Sequence, residues 1–239
     1  MRIDKLLAHS GFGTRKQVRQ LIKDKLVKVN DQVIKSHGTK VDPEKDQITV
    51  SDVPVHYHEF VYFMLNKPQG VISATEDNLH ETVIDLLEPN DIVQEPHPVG
   101  RLDIDTEGLL ILTNDGQLTH HLTSPNRNVN KVYLAEIDGI VTDEDVKDFK
   151  EGVILDDGYE AKPAVLEILA TDEEQALSQI KVTVTEGKFH QVKRMFQAVG
   201  KEVLSLKRLS MGDLVLDPTL EVGTYRELTK EEIELLKTK

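Results

Sequence analysis

Apolar residues recur along this chain with two periods, and the change from one to the other marks where helices give way to strands. Ile3, Leu6 and Leu7 fall at i, i+3 and i+4, which predicts a short amphipathic helix ending near Gly11-Phe12-Gly13. Thr14, with Gln17 three residues on, forms a capping box for a second helix whose buried stripe is Val18, Leu21 and Ile22. From residue 26 to residue 34 apolar and polar positions alternate about Asn30-Asp31, a hairpin pattern, and residues 47–50 supply a further strand. Two helices and a small curled sheet thus make a compact module of under 60 residues.

Beyond it, strand-like runs cover residues 62–65, 109–112, 132–137, 164–169 and 180–185. Helices fit residues 82–87, 117–122, 143–150, 190–199 and 230–236. These strands and helices do not alternate regularly, so the fold class expected is α+β, with a mixed, largely antiparallel sheet instead of a doubly wound parallel one. Residues 51–59 break the periodicity and carry Pro54, which makes them the expected linker between a domain at 1–58 and a second at 61–239.

Composition narrows the classes. The chain of 239 residues has no Cys, which excludes disulfides, thiolate metal sites and a cysteine nucleophile. Hydrophobic residues at 38% against 30% charged suit a folded chain with a sizeable core. No apolar run approaches the roughly 20 residues that span a bilayer, and Met1-Arg2-Ile3-Asp4-Lys5 does not open a signal peptide, so a cytoplasmic protein with no membrane partner is expected. The net charge of -13 points away from a polyanionic partner, but it is unevenly divided. Residues 1–60 carry 11 Lys and Arg against 8 Asp and Glu, whereas residues 61–239 carry 18 against 34. Within the basic part, Arg15, Arg19 and Lys23 lie at i, i+4 and i+8 with Lys16 beside them, a cationic ridge facing away from the buried stripe.

Three clusters hold candidate chemistry. Gly100-Arg101-Leu102-Asp103-Ile104-Asp105-Thr106-Glu107-Gly108 flanks the most apolar strand, where a carboxylate is held partly dry and a nearby cation sets its ionisation. Its acidic spacing mimics the opening of an EF-hand loop, but the fifth position is Glu107 and the twelfth is Asn114, so no calcium site is expected. Glu186-Gly187-Lys188-Phe189-His190-Gln191-Val192-Lys193-Arg194 opens a helix whose apolar face is Val192, Met195, Phe196 and Val199. His190, Lys193 and Arg194 gather on another face near the helix N-terminus, a setting that suits phosphate. Tyr133 sits in the alternating strand Lys131-Val132-Tyr133-Leu134, and the histidines, His120-His121 included, lack metal-ligand spacing.

None of these clusters alone names a reaction. Taken in order with Tyr62-Phe63-Met64-Leu65-Asn66-Lys67-Pro68-Gln69-Gly70 and Lys162-Pro163-Ala164-Val165-Leu166-Glu167, they resemble the RsuA type of ribosomal RNA pseudouridine synthase over nearly the whole chain. The N-terminal module is similar to the small RNA-binding domain, or alpha-L motif, of ribosomal protein S-four. The resemblance implies an isomerase that converts a uridine in RNA to pseudouridine without cofactor, metal or net redox change. The family's essential Asp falls on Asp103, not Asp105, its cation on Lys193 with Arg194 as the alternative, and its Tyr on Tyr133, expected against the uracil. It further implies that Arg101 and Arg194 contact RNA, that Arg15, Lys16, Arg19 and Lys23 hold it by its phosphates, and that Leu206 and Met64 wall the pocket. The expected partner is 16S rRNA or a partly assembled small subunit, with position 516 as the family target, bound by a monomer. A large-subunit 23S uridine is the alternative target, and a non-catalytic assembly factor or a metal-dependent hydrolase using Asp103 and Asp105 are the alternatives of other classes.

Overall fold

The computed structural model describes residues 1–55, 57 and 59–237; His56 and His58, two positions of the expected linker, lie outside the described residues, as do Thr238 and Lys239. The chain divides into two compact units, Met1–Val61 with Leu87–Pro96, and Tyr62–Leu86 with His97–Lys239. Residues 87–96 therefore group with the first unit, where the Gln94 side-chain amide donates to the carbonyl of His9.

In the first unit, helices α1 (Ile3–His9), α2 (Arg15–Lys23) and the short α3 (Pro89–Ile92) accompany a small antiparallel sheet. Its strands are β1 (Val27–Val29), β2 (Gln32–Val33), β3 (Ile48–Val50) and β4 (Val53–Pro54), in the order β2-β1-β3-β4. The capping box is present: Gln17 N–H donates to Thr14 Oγ1, and Thr14 N–H donates to Gln17 Oε1 at 2.8 Å. Asn30 and Asp31, with φ of 50° and 64°, both adopt the left-handed conformation that a two-residue type I′ hairpin turn requires. Ile3, Leu6, Leu7, Val18, Ile22 and Val27 form the core of this unit. Asp4, its side chain only 1% exposed, pairs with Arg2 at 2.7 Å and lies 3.7 Å from Arg19.

In the second unit, β5 (Tyr62–Lys67), β6 (His97–Pro98), β7 (Glu107–Thr113), β8 (Lys131–Asp138), β9 (Val165–Asp172), β10 (Leu177–Val184), β11 (Glu202–Met211), β12 (Leu214–Val215) and β13 (Tyr225–Glu227) form one sheet. Its main order is β13-β5-β7-β11-β8-β10-β9, with β6 on β7 and β12 on β11. Among the described strands, the β7–β11 pair is parallel and the other pairs are antiparallel, so the sheet is mixed and largely antiparallel. Helices α4 (Gly116–Thr123), α5 (Asp143–Glu151), α6 (Gln191–Ala198) and α7 (Lys230–Lys237) complete the unit. Every residue from Leu109 to Leu112 is buried, as expected for a central strand covered on both faces. Leu109 and Ile111 pack with Met64, Leu118 and Leu122, while Phe149 of α5 meets Phe196 of α6 at 4.8 Å between ring centroids.

The β7–β11 joint depends on Gly108. At φ 102° it occupies a conformation open to glycine, and a Cβ there would stand 2.3 Å from the Arg208 carbonyl oxygen.

Several elements differ from the expected pattern: the short α3, β6, β12 and β13 are not among those expected, β4 pairs with β3 inside the expected linker, and two larger differences stand out. Residues 82–87 form turns instead of a helix: Thr82 N–H and Oγ1 both donate to Asp85 Oδ2 at 2.8 Å, a cap with no helix behind it, and Thr82 instead bridges to Ile72. The ten-residue strand β11, absent from the expected elements, lies at the middle of the sheet. Its register shifts between Val203 and Ser205 and again between Arg208 and Ser210, and these bulges interrupt the two-residue alternation that marks a strand.

Candidate active site

Asp103 lies on the loop that leads into β7, and the end of β5 fixes the backbone of that loop. Lys67, the last residue of β5, is fully buried, and its Nζ donates to the carbonyls of Pro68, Asp103 and Thr106 at 2.8, 3.1 and 2.9 Å. Three donors therefore meet three carbonyls, which satisfies an ammonium withdrawn from water. Burial pushes this amine down to about 8, against the upward pull of Asp103, Asp105 and Glu107. Ser73 adds a reciprocal pair, donating its hydroxyl to the Leu102 carbonyl at 2.9 Å and accepting Leu102 N–H at 3.0 Å. Gly70 N–H donates to the Ile104 carbonyl at 2.8 Å. The backbone on either side of Asp103 is thus held at four carbonyls and one amide.

The cations come from α6. Lys193 Nζ lies 3.4 Å from Asp103 Oδ2 and 2.5 Å from Asp105 Oδ1, so one ammonium bridges both carboxylates. His190 Nε2 stands 3.7 Å from Asp103 Oδ1. The side chain of Asp103 is 28% exposed and that of Lys193 18%, a half-dry setting in which such charges act more strongly than in water. Burial pushes the Asp105 carboxyl up, but the Lys193 hydrogen bond and charge outweigh it and hold it below its ordinary range.

The turn that launches α6 is anchored by Glu186. This buried carboxylate accepts from Tyr159 Oη at 2.8 Å, Lys162 N–H at 2.9 Å and Gln191 Nε2 at 2.6 Å. Gln191 Oε1 in turn accepts Lys188 N–H at 2.9 Å. His190, at the N-cap of α6, holds the left-handed conformation with φ 48°, unusual for a residue with a Cβ.

These elements frame a cavity of about 750 Å³ whose lining includes Arg101, Asp103, Lys131, Tyr133, Glu186 and Arg208. Tyr133, buried on β8, stands opposite Arg208 of β11 and Val182 of β10. Opposed residues of an antiparallel pair share a face, which turns Tyr133 and Arg208 to the same side of the sheet. Burial and the neighbouring Arg208 charge push the Lys131 amine down to about 8, with Glu186 pulling the other way.

The structure brings Asp103, Tyr133 and Arg101 to this one cavity, with Lys193 reaching Asp103 from beside it. Leu206 lines a smaller hollow of about 70 Å³ with Asp103, Tyr133 and Lys193. Met64 does not wall the pocket: it is buried in the core with Val99, Leu109 and Ile111, and its Sδ accepts from Asp217 N–H at 3.3 Å. Arg194 also points elsewhere, pairing with Asp156 at 2.5 Å and Asp157 at 2.7 Å, which leaves Lys193 as the partner of Asp103. On α2, Arg15, Lys16 and Lys23 are exposed, while Arg19 stands beside the buried Asp4. The sequence pattern attached no role to Lys67, Ser73 or Glu186, and it marked His190 for phosphate and not for its place beside Asp103. A lysine closing the apolar run Tyr62-Phe63-Met64-Leu65 was the available signal, because a lysine on a central strand is buried only where it has acceptors.

Comparison with known proteins gives the site its context. Residues 61–198 match the family model described as RNA pseudouridylate synthase, and residues 1–48 match the S4 domain. The chain belongs to the RNA pseudouridylate synthase family, with an S4 domain at its N-terminal end. It is 51% identical to the uncharacterized RNA pseudouridine synthase YtzG of Bacillus subtilis (strain 168), over 99% of this chain and 98% of that one. It is 41% identical to ribosomal large subunit pseudouridine synthase B of the same organism, covering 99% and 95% of the two chains. With ribosomal small subunit pseudouridine synthase A of Escherichia coli (strain K12) the identity is 39%, covering 98% of each. A solved crystal structure of a pseudouridylate synthase superposes with a TM-score of 0.68 at 39% identity, over 99% of both chains. Among the described residues, no helix is long and apolar enough to cross a membrane.

Proposed function

We propose that this enzyme isomerises a uridine of 16S rRNA, the one at the family's position 516, in naked RNA or a partly assembled small subunit, and that Asp103 is the essential carboxylate. The observation that carries the reading is the placement of Asp103 beside Lys193, at 3.4 Å, in a cavity it shares with Tyr133. The Lys193 ammonium sets a positive charge beside the carboxylate that the chemistry requires. The carboxylate then either attacks the anomeric carbon or removes a neighbouring sugar proton as the C1′–N1 bond breaks. The uracil, held against Tyr133, turns and forms a bond from C5 to C1′. C5 gives up its proton and N1 takes one, so the product is an isomer and no electrons are exchanged. Residues 61–239 act as the catalytic domain, and residues 1–58 hold RNA by its phosphates, through a protein that works as a cytoplasmic monomer.

A second reading, a 23S uridine, is favoured by one observation: the large-subunit relative is 41% identical, against 39% for the small-subunit one. Pseudouridine mapping of both rRNAs from cells lacking the protein, restored with wild type or with Asp103→Asn, separates the two. A single missing modification in 16S rRNA, restored by wild type alone, is the expected result. A missing site in 23S rRNA moves the target to the large subunit, and full rescue by Asp103→Asn overturns the role given to that residue.

A further inference from the structure

Phe189 is an anomaly among the aromatic residues of the second unit. Its side chain is 70% exposed, yet it lines the same cavity as Asp103 and Tyr133, at its rim. One face of the ring is covered: Phe189 stacks on His190 with centroids 3.7 Å apart and planes 18° from parallel. His190 is in turn the imidazole that stands 3.7 Å from Asp103. The segment is held by its backbone, with Arg194 Nη1 donating to the Phe189 carbonyl at 3.5 Å and Gln191 N–H to that of Lys188 at 3.2 Å. A flat apolar ring is therefore presented to solvent, with its other face braced, at the entrance to the catalytic cavity.

We infer that Phe189 is a stacking platform for an RNA base next to the target uridine. The inference rests on the proposed pseudouridine synthase reading. To reach Asp103 the uridine must leave its stack, and each neighbouring base then loses a partner. An exposed aromatic ring replaces that partner without reading sequence, since every base has a π-face. The braced ring makes Phe189 a positioning residue, which holds the flanking RNA while the uridine enters the cavity.

The test is a cycle between protein and RNA. Full-length wild type, Phe189→Ala and Phe189→Tyr are assayed on a short RNA carrying the mapped uridine, tritiated at C5 so that turnover releases tritium. Two further RNAs each lack one neighbouring base, the 5′ or the 3′, as an abasic site. On intact RNA, Phe189→Ala is expected to lower kcat/KM roughly ten- to a hundredfold, with Phe189→Tyr near wild type. On the RNA that lacks the stacked neighbour, wild type and Phe189→Ala should converge. An equal loss on all three RNAs would mean that the ring acts only by packing His190, and no loss on any of them would mean that it does not act; either outcome overturns the inference. Failure of wild type itself on the intact RNA would count against the proposed target and not against Phe189.

Discussion

Lys193 divides one ammonium between two carboxylates, and its 2.5 Å ion pair is with the one that the family pattern passes over. Asp105 is 62% exposed and its charge is open to solvent, whereas Asp103 lies deeper and lines the cavity. Removing the Asp105 charge therefore hands the ammonium to Asp103. Asp105→Asn should retain activity within about tenfold, while Asp103→Asn should lose at least about a thousandfold, as expected when a reacting group is removed and not its neighbour; single-turnover rates on one RNA compare them. Asp4 gives a pH dependence in the first unit. Burial pushes its carboxyl up, but Arg2, Arg19 and His37 outweigh that and leave it below its ordinary value. A depressed carboxylate stabilises the fold above its unfolded pKa of about 3.9, and the contribution is lost as pH falls through the folded value. Asp4→Asn should accordingly cost about 1–3 kcal/mol at pH 7, with the gap to wild type narrowing below about pH 4 in denaturant titrations.

At the scale of elements, the loop that carries Asp103 is held by a strand end. Lys67→Met would leave the carbonyls of Asp103 and Thr106 without their buried donor while relieving a desolvated charge. The balance predicts a loss of about 2–4 kcal/mol in stability, with kcat reduced more than KM, read from thermal unfolding and steady-state kinetics on one preparation. The same elements separate what the chain displays from what it conceals. The α2 cap, the type I′ hairpin, the buried run at Leu109–Leu112 and the helix carrying Lys193 all follow from local patterns, and the structure realises each of them. β11 was not legible because its two bulges erase the alternation, and residues 82–87 misled because Thr82 and Asp85 form a cap with no helix to follow. The site divides the same way. Asp103, Tyr133 and Lys193 stand in family motifs, whereas the grip of Lys67 on the loop and the turn of Arg194 towards Asp156 are tertiary facts with no local signature.

For the whole molecule, the net charge of -13 leaves RNA attachment to local cationic patches, with the acidic remainder discouraging indiscriminate binding. Arg19 already serves Asp4, so a test of the α2 ridge should spare it. Replacing Arg15, Lys16 and Lys23 by Glu is expected to weaken RNA binding and flatten its salt dependence, by roughly 0.7–0.9 in the log–log slope for each phosphate no longer neutralised. Affinity titrations across several salt concentrations measure both. The parallel joint at Gly108 bears on how the enzyme is made. β11 inserts between β7 and β8, and its pairing with β7 joins residues about a hundred apart, Lys207 with Glu107 and Arg208 with Gly108. Such long-range pairing forms late, and synthesis from the N-terminus delays it further. A nascent chain that has emerged as far as Gly200 already contains Asp103, Tyr133 and Lys193, but not the strand that joins the β5–β7 half of the sheet to the β8–β10–β9 half. An RNA-modifying activity thus waits for β11 to emerge from the ribosome, well after the residues of the S4 domain have done so.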